Sequence, residues 1–346
     1  MVSRRDAILT GVARASDLHD RLGMRAALIN GEGAIDVIGA VQKLGLFIMF
    51  RPLDGLLGAY VPTHALSGML VTTNRDLHVQ RFTAAHELGH HVLEHKALSL
   101  DATIGFVGRD RESKYEATVG FVGRGEASKD DLQEIEADSF AAEFLLPKWL
   151  IAAHLRRKKW GIQHLRQADL VYQLSLRLGA SYTATCYALL SQNFLNYRDV
   201  NRLLTVEPKS AKQRAVPEAH PENWHRDVWV VSETDRGSRI LGSPNDLIVV
   251  ELDEHVSGGY SWDAEGVTKA GMRLEHDKRI SPPGNAIGGR IQRRMVVQGE
   301  GEKHLRLEER RAWAPAQPSL NTFDIDLTLV GREPEGIPRS GRVLAA

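Results

Sequence analysis

The chain has 346 residues, of which 42% are hydrophobic and 25% charged, so wholesale disorder is excluded. Lysine and arginine number 44, as do aspartate and glutamate, and the net charge of zero removes any global attraction for nucleic acid or an anionic membrane. The single cysteine, Cys186, excludes an intrachain disulfide and a cysteine-based metal cluster. The sequence also lacks a signal-peptide pattern and a membrane-spanning run of about 20 apolar residues. We therefore predict a cytoplasmic protein that does not span a membrane.

The hydrophobic pattern changes along the chain. Up to about residue 195 helix-length apolar patterns dominate, with short β-like runs at 47–50 and 69–72. Beyond residue 227 short segments alternate apolar and polar residues, as at 323–330. This predicts a multidomain protein, α+β and then all-β. The predicted units are a first domain at 1–155, a helical subdomain at 156–205, a linker at 206–225, a β-sandwich at 226–332 and a flexible tail at 333–346.

Residues 81–95 read RFTAAHELGHHVLEH and contain the pattern H-E-x-x-H. On a helix, His86 and His90 lie on one face, so both imidazoles can bind one ion. Neutral imidazole is a favoured zinc ligand, and Glu87 can reach a water on that ion. The metal would lower the pKa of this water, and Glu87 would accept its proton as hydroxide attacks a carbonyl. The motif predicts a hydrolase with Zn²⁺, or alternatively Mn²⁺, as cofactor.

A catalytic zinc needs a third protein ligand, and the next strong helical segment, residues 134–147, contains several carboxylates. We expect Glu136 to be this ligand, because it lies one turn before Phe140, whose side chain should face the core. Glu134 and Glu143 are alternatives.

Three further polar residues near these segments receive supporting roles. We expect Asp138 to accept an imidazole N–H and thereby to fix the tautomer of that ring. His91 and His95 should lie on neighbouring helix faces, in structural or solvent-facing positions rather than as ligands.

A duplication separates the two helical segments: ATIGFVGRDRESKYE at 102–116 is followed directly by ATVGFVGRGEASKDD at 117–131. Two copies are too few for a solenoid. The simpler interpretation is a duplicated surface insertion, and the alternative is a lid beside the metal site.

The segments RFTAAHELGHHVLEH and EIEADSFAAEFLLP together resemble the ImmA/IrrE family of zinc metallopeptidases, over about residues 25–195. This family pairs an F-T-x-A-H-E-x-G-H helix with a later E-A-[ND]-x-F-A-x-x-L-L-x-P helix. The resemblance implies a gluzincin-like fold with His86, His90 and Glu136 as ligands and Glu87 as catalytic base. It also implies a protein substrate, typically an Xre-type helix-turn-helix repressor in stress response or mobile-element control. His90 and Glu136 lie farther apart than usual, and the duplication accounts for most of the excess.

Residues 168–195 have a helix-turn-helix pattern, with a break at Gly179 and Ser181 as the N-cap of the second helix. DNA reading by this second helix is one hypothesis. However, residues 178–197 contain no lysine or arginine, and phosphate neutralisation supplies most non-specific affinity. We expect this segment to pack or to dock a repressor, and not to bind nucleic acid.

The strand pattern from 228 to 330 predicts an immunoglobulin-like β-sandwich with loops at 255–263, 282–290 and 309–323. These loops resemble those of the chagasin-like cysteine-protease inhibitors, which carry an N-P-T-T-G-Y-x-W loop, a glycine-rich loop and an R-R-P-W loop. The matching residues are Gly259, Tyr260, Trp262, Gly288, Gly289, Arg310, Arg311 and Trp313. The N-P-T-T sequence is absent, and Ala312 replaces the usual proline. The resemblance implies a protease or peptide partner, and the alternative is that the aromatic residues belong to the core.

The leading hypothesis is therefore a zinc-dependent endopeptidase that acts on a protein repressor. The alternative is a non-catalytic protein-binding or protease-inhibiting module that uses the sandwich, with a structural metal site. A DNA-binding regulator is a third hypothesis. We further expect the sandwich loops to fold over the peptidase cleft, since the proline-containing linker has the reach.

Overall fold

The computed structural model describes residues 3–63, 67–95, 99–102, 129–217, 224–244, 246–281, 291–314 and 316–339. An α+β region is followed by an all-β domain, and the predicted fold class is confirmed. Most of the duplication, residues 103–128, lies outside the described residues. Gly288, Gly289 and the end of the chain from residue 340 also lie outside them.

The N-terminal region surrounds a small sheet with helices. Its elements are α1 (Arg4–Arg21), α2 (Met24–Ala27), α3 (Val37–Lys43), β1 (Phe47–Arg51), β2 (Leu56–Val61), β3 (Gly68–Thr72), α4 (Leu77–Val92), β4 (Ser99–Ala102), α5 (Lys129–Leu145), α6 (Lys148–Lys158), α7 (Ala168–Leu178), α8 (Tyr182–Ser191), α9 (Tyr197–Leu204) and α10 (Pro208–Ala215). Helix α10 falls inside the predicted linker, because Pro208 suits the first turn of a helix and Ala211 is buried.

The sheet has the strand order β1-β3-β2-β4, with β1 parallel to β3 and the other pairs antiparallel. Helix α4 packs against β2, β3 and α5. Gly89 of α4 permits this close approach to α5, since a Cβ at that position would lie 3.2 Å from Cα of Ala137 and 3.1 Å from the Phe140 ring. Helix α4, which contains the H-E-x-x-H motif, and helix α5, which contains the candidate carboxylate ligands, thus lie side by side.

The C-terminal domain is a sandwich of two sheets, β5-β7-β10-β9 and β6-β12-β11-β8. Its elements are β5 (Val228–Ser232), β6 (Arg239–Gly242), β7 (Leu247–Glu254), β8 (Ser261–Trp262), α11 (Glu265–Lys269), β9 (Arg273–Ile280), β10 (Ile291–Gln298), β11 (Gly301–Arg310) and β12 (Asn321–Leu329). Every second residue of β12, from Phe323 to Leu329, is buried, as the period-two pattern predicts.

The sandwich is docked against α7 through buried polar groups. The Gln173 side-chain amide donates to the carbonyl of Val228 and accepts from the amide of Val230, both at 2.8 Å. Arg177 pairs with Asp235, which also pairs with Lys158 of α6. These contacts join the two halves of the chain along β5 and the short 3₁₀ turn Glu233–Asp235.

Part of the predicted flexible tail binds the N-terminal sheet. We call residues 333–339 the C-terminal strap. Gly336 and Phe50 of β1 exchange two backbone hydrogen bonds of 2.8 Å, so the strap pairs with the outer edge of the sheet. The side-chain amide of Gln80 on α4 donates to the backbone carbonyl of Glu333 in the strap and accepts from the backbone amide of the same residue. Among the described helices, none has the length and apolar character needed to cross a membrane.

Candidate metal centre

Two helices bring three potential metal ligands together. His86 and His90 lie one turn apart on α4, with their Nε2 atoms 3.0 Å from each other. The carboxylate of Glu134 on α5 approaches both, 3.3 Å from Nε2 of His86 and 3.5 Å from Nε2 of His90. All three ligand atoms lie within 4.8 Å of one another. Both imidazoles are buried and the Glu134 side chain is 47% exposed. Two nitrogens and one oxygen form a donor set that suits zinc.

Glu136, the predicted third ligand, does not join this cluster. Its Oε2 lies 2.9 Å from Nε2 of His95 instead. The physical reason is the phase of α5: successive residues turn by about 100°, so Glu134 and Asp138 share one face and Glu136 points elsewhere. The burial of Phe140, one turn after Glu136, indicates the core-facing side of α5 and not its metal-facing side. The spacing E-x-x-x-D was the available sequence signal for Glu134.

Asp138 contacts the first imidazole. Its Oδ1 lies 2.9 Å from Nδ1 of His86, so this ring donates its Nδ1–H to the carboxylate, and loss of the proton on Nε2 would leave the Nε2 lone pair directed at the cluster. Burial works to lower the pKa of His86, but the hydrogen bonds to Asp138 and Glu134 outweigh it and raise the pKa well above the ordinary value. Burial and the neighbouring His86 lower the pKa of His90 to about 3, which keeps this imidazole neutral. A neutral imidazole is the form that binds a metal.

Glu87 lies beside the cluster and is fully buried. It faces β2, where Gly58 leaves the necessary space. A Cβ at Gly58 would lie 2.7 Å from Oε1 of Glu87 and would overlap the methyl group of Thr83. The strand therefore fixes the position of this carboxylate. The same strand carries Tyr60, which sequence reasoning did not assign to the site, and its hydroxyl lies 3.0 Å from Nδ1 of His91.

The alternative ligand Glu143 lies in a different environment. The side-chain amide of Gln192, the residue that follows α8, donates to its Oε2 at 2.6 Å. Burial raises the pKa of Glu143 to about 7.

The predicted protein-binding loops of the sandwich pack on each other. Gly259 has a positive φ of 75°, and a Cβ there would overlap the ring of Trp313. The guanidinium of Arg311 lies 4.5 Å from the centroid of the Tyr260 ring, an arrangement that favours cation–π attraction. Trp313 is 71% exposed, whereas Trp262 is buried in the core. The ring of Trp313 is thus available to a partner.

The last predicted loop residue, Arg310, pairs with Glu308 on the same strand. In the ladder between β11 and β8, Arg310 lies opposite Ser261.

Comparison with known proteins confirms both family resemblances. Residues 41–190 match the IrrE N-terminal-like domain, a peptidase family, and residues 243–327 match the chagasin family of peptidase inhibitors. A search among curated proteins gave no significant match.

The solved structures that are similar to this chain include two inhibitor-sized proteins and a larger regulator. The cysteine protease inhibitor EhICP2 from Entamoeba histolytica is 20% identical over 31% of this chain and 99% of its own, with a TM-score of 0.27. Amebosin is 18% identical over 30% of this chain and 97% of its own, with a TM-score of 0.25. A Mycobacterium tuberculosis transcriptional regulator is 14% identical over 84% of this chain and 75% of its own, with a TM-score of 0.29.

Proposed function

We propose that this chain, which joins an IrrE N-terminal-like peptidase domain to a chagasin-like domain, is a zinc-dependent endopeptidase. The observation that carries the proposal is the convergence of His86, His90 and Glu134 next to the buried carboxylate of Glu87. We assign the three clustered residues as ligands and prefer zinc to manganese because two of the three donors are imidazole nitrogens.

The chain's own residues have distinct roles in this reaction. When bound, the ion supplies a Lewis acid that polarises the scissile carbonyl and makes water more acidic. Glu87 accepts the proton of the attacking water and then donates it to the departing amine. Asp138 holds His86 in the tautomer that presents Nε2 to the ion. Gly58 of β2 leaves room for the Glu87 carboxylate, whose charge acts on the neighbouring His86.

We propose a protein as the substrate, namely a transcriptional repressor of the Xre helix-turn-helix type. The support for this choice is the match to the IrrE N-terminal-like domain. The reaction would relieve repression during stress or mobile-element control. The single cysteine suits a reducing compartment, so we place the enzyme and its substrate in the cytoplasm.

The test is incubation of the zinc-loaded protein with a purified helix-turn-helix repressor encoded beside it, followed by mass spectrometry of the fragments. Glu87→Gln should retain zinc and lose cleavage by at least about 100-fold, because the general base is removed. Glu94→Gln, an exposed change just after α4, is the matched control and should leave the rate unchanged. A Glu87→Gln protein that cleaves at the wild-type rate would overturn the proposed mechanism.

The exposed Trp313 favours a second candidate function, protease inhibition by the sandwich loops. Titration of papain with the full chain tests it. Inhibition that is lost in Trp313→Ala would support this function. Papain activity that stays constant up to micromolar chain would reject it.

A further inference from the structure

A line of hydrogen bonds runs outward from the metal cluster on the side opposite to Asp138. Nδ1 of His90 lies 2.8 Å from Nδ1 of His95, and Nε2 of His95 lies 2.9 Å from Oε2 of Glu136. His90 and His95 are buried, and the rings lie 4.9 Å apart at 66°. Glu136 is the carboxylate at the outer end, with 18% of its side chain exposed. His95 follows the end of α4, and its amide bonds the carbonyl of His90, which fixes the backbone between them.

The direction of each hydrogen bond in this line follows from its two ends. An ionised carboxylate can only accept, so His95 donates its Nε2–H to Glu136. With a single ring proton on Nε2, His95 presents the lone pair of Nδ1, and this nitrogen accepts the Nδ1–H of His90. His90 consequently keeps its lone pair on Nε2, the atom that faces His86 and Glu134. The carboxylate of Glu136 therefore determines which nitrogen of His90 is available to an ion, through one intervening ring.

We propose that His95 and Glu136 are positioning residues that hold His90 in its metal-binding tautomer and orientation. This inference rests on the proposed metal-binding function. It also gives each imidazole ligand its own carboxylate: Asp138 contacts His86 directly, and Glu136 reaches His90 through His95. Glu136, which the sequence predicted as a metal ligand, thus acts on the ligand His90 through the ring of His95.

The test measures the zinc dissociation constant of the full chain by competition with a chromophoric chelator. His95→Leu removes the acceptor for His90, and we expect zinc binding to weaken by about 10- to 100-fold, as for other partners of metal-binding histidines. Glu136→Ala should weaken binding in the same range. The double variant should bind no more weakly than His95→Leu alone, because Glu136 acts through His95. His276→Asn, at an exposed position of β9, is the control and should leave the constant unchanged.

A conservative variant separates positioning from packing. His95→Asn places an amide oxygen near the former Nδ1, so it can accept from His90 without the link to Glu136. We expect it to restore zinc affinity to within about 5-fold of wild type, a smaller loss than the 10- to 100-fold effect of removing the partner altogether. Nitrogen-15 spectra of histidine-labelled protein should show the Nδ1–H form of His90 in the wild type and in His95→Asn.

The outcomes distinguish this inference from the proposed function. Circular dichroism of the metal-free variants checks that they are folded. If folded His95→Leu binds zinc as tightly as wild type, or if His95→Asn is as weak as His95→Leu, the positioning role is wrong. If the wild-type protein itself binds no zinc, the proposed metallopeptidase function is wrong, and the positioning role that rests on it is wrong as well.

Discussion

The buried ion pairs between the two halves of the chain allow a quantitative prediction. Asp235 accepts from Nζ of Lys158 at 2.6 Å, from Nη2 of Arg177 at 3.0 Å and from the amide of Ser232 at 2.9 Å. The charged side chains are only 4%, 8% and 7% exposed, for Asp235, Lys158 and Arg177 respectively. Asp235→Asn keeps the shape of the side chain and removes its charge, which leaves two buried cations without their shared counter-charge.

The expected loss follows from this burial. Breaking a buried ion pair by removal of one partner costs about 3–5 kcal/mol, whereas an exposed pair contributes about 1 kcal/mol or less. Asp169, which pairs with Arg214, is the matched control, because these side chains are 43% and 53% exposed. We therefore expect Asp235→Asn to lower the free energy of unfolding by about 3–5 kcal/mol at pH 7, and Asp169→Asn by about 1 kcal/mol at most.

The difference in the free energy of unfolding between the wild type and Asp235→Asn should also depend on pH. Burial alone would raise the pKa of Asp235, but Arg177 and Lys158 outweigh it and hold the pKa below its ordinary value of 3.8. A lowered carboxyl pKa contributes stability that is present above pH 3.8 and is lost as the pH falls through the folded-state pKa. The assay is urea denaturation followed by circular dichroism and tryptophan fluorescence at pH 7 and at acidic pH. A loss at pH 7 no larger than that of Asp169→Asn would refute the reasoning.

Three further changes test the site and its surroundings. Gly58→Ala should displace the Glu87 carboxylate and lower cleavage by up to about 100-fold while zinc affinity is retained, and equal rates would contradict the role of β2. Asp138→Ala should weaken zinc binding by about 10- to 100-fold in chelator competition, and an unchanged constant would count against its role. Glu143, whose pKa is raised to about 7, contributes stability that is full below pH 4.5 and is lost as the pH rises through 7. Between pH 4.5 and 7.5, the free energy of unfolding of Glu143→Gln should fall by up to about 3 kcal/mol less than that of the wild type, as measured by denaturation at both pH values. Identical pH profiles of the two proteins would contradict the raised pKa of Glu143.

Sequence reasoning succeeded where one local periodicity determines the geometry. The four-residue spacing of His86 and His90 places both rings on one face of a helix whatever surrounds it. The alternation along β12 likewise identifies its buried face. The structure places Glu134, and not the predicted Glu136, beside the two imidazoles, because the choice among the glutamates of α5 depends on the rotation of α5 about its axis relative to α4. A hydrophobic pattern gives the core-facing side of α5, and the metal-facing side lies at an angle to it.

The linker and tail were harder to predict because their structure depends on distant partners. Proline at 208 is compatible with both an extended linker and the first turn of a helix. The strap has no hydrophobic pattern, and its order comes from pairing with Phe50 and Gln80, which lie over 250 residues earlier in the chain. The buried charges of Arg177 and Asp235 resemble ordinary surface residues until the neighbouring domain covers them.

The strap and the contacts of α7 tie the sandwich to the peptidase domain at both of its ends, where the chain enters the sandwich and where it leaves. A domain that is attached at two points rotates less freely than a domain attached through a single linker. If the loop that contains Trp313 binds a protein, this protein would then be held at a fixed distance from His86, His90 and Glu134. This fixed distance would select cleavage sites by their separation from the segment that the loop binds, in addition to the local sequence around the scissile bond.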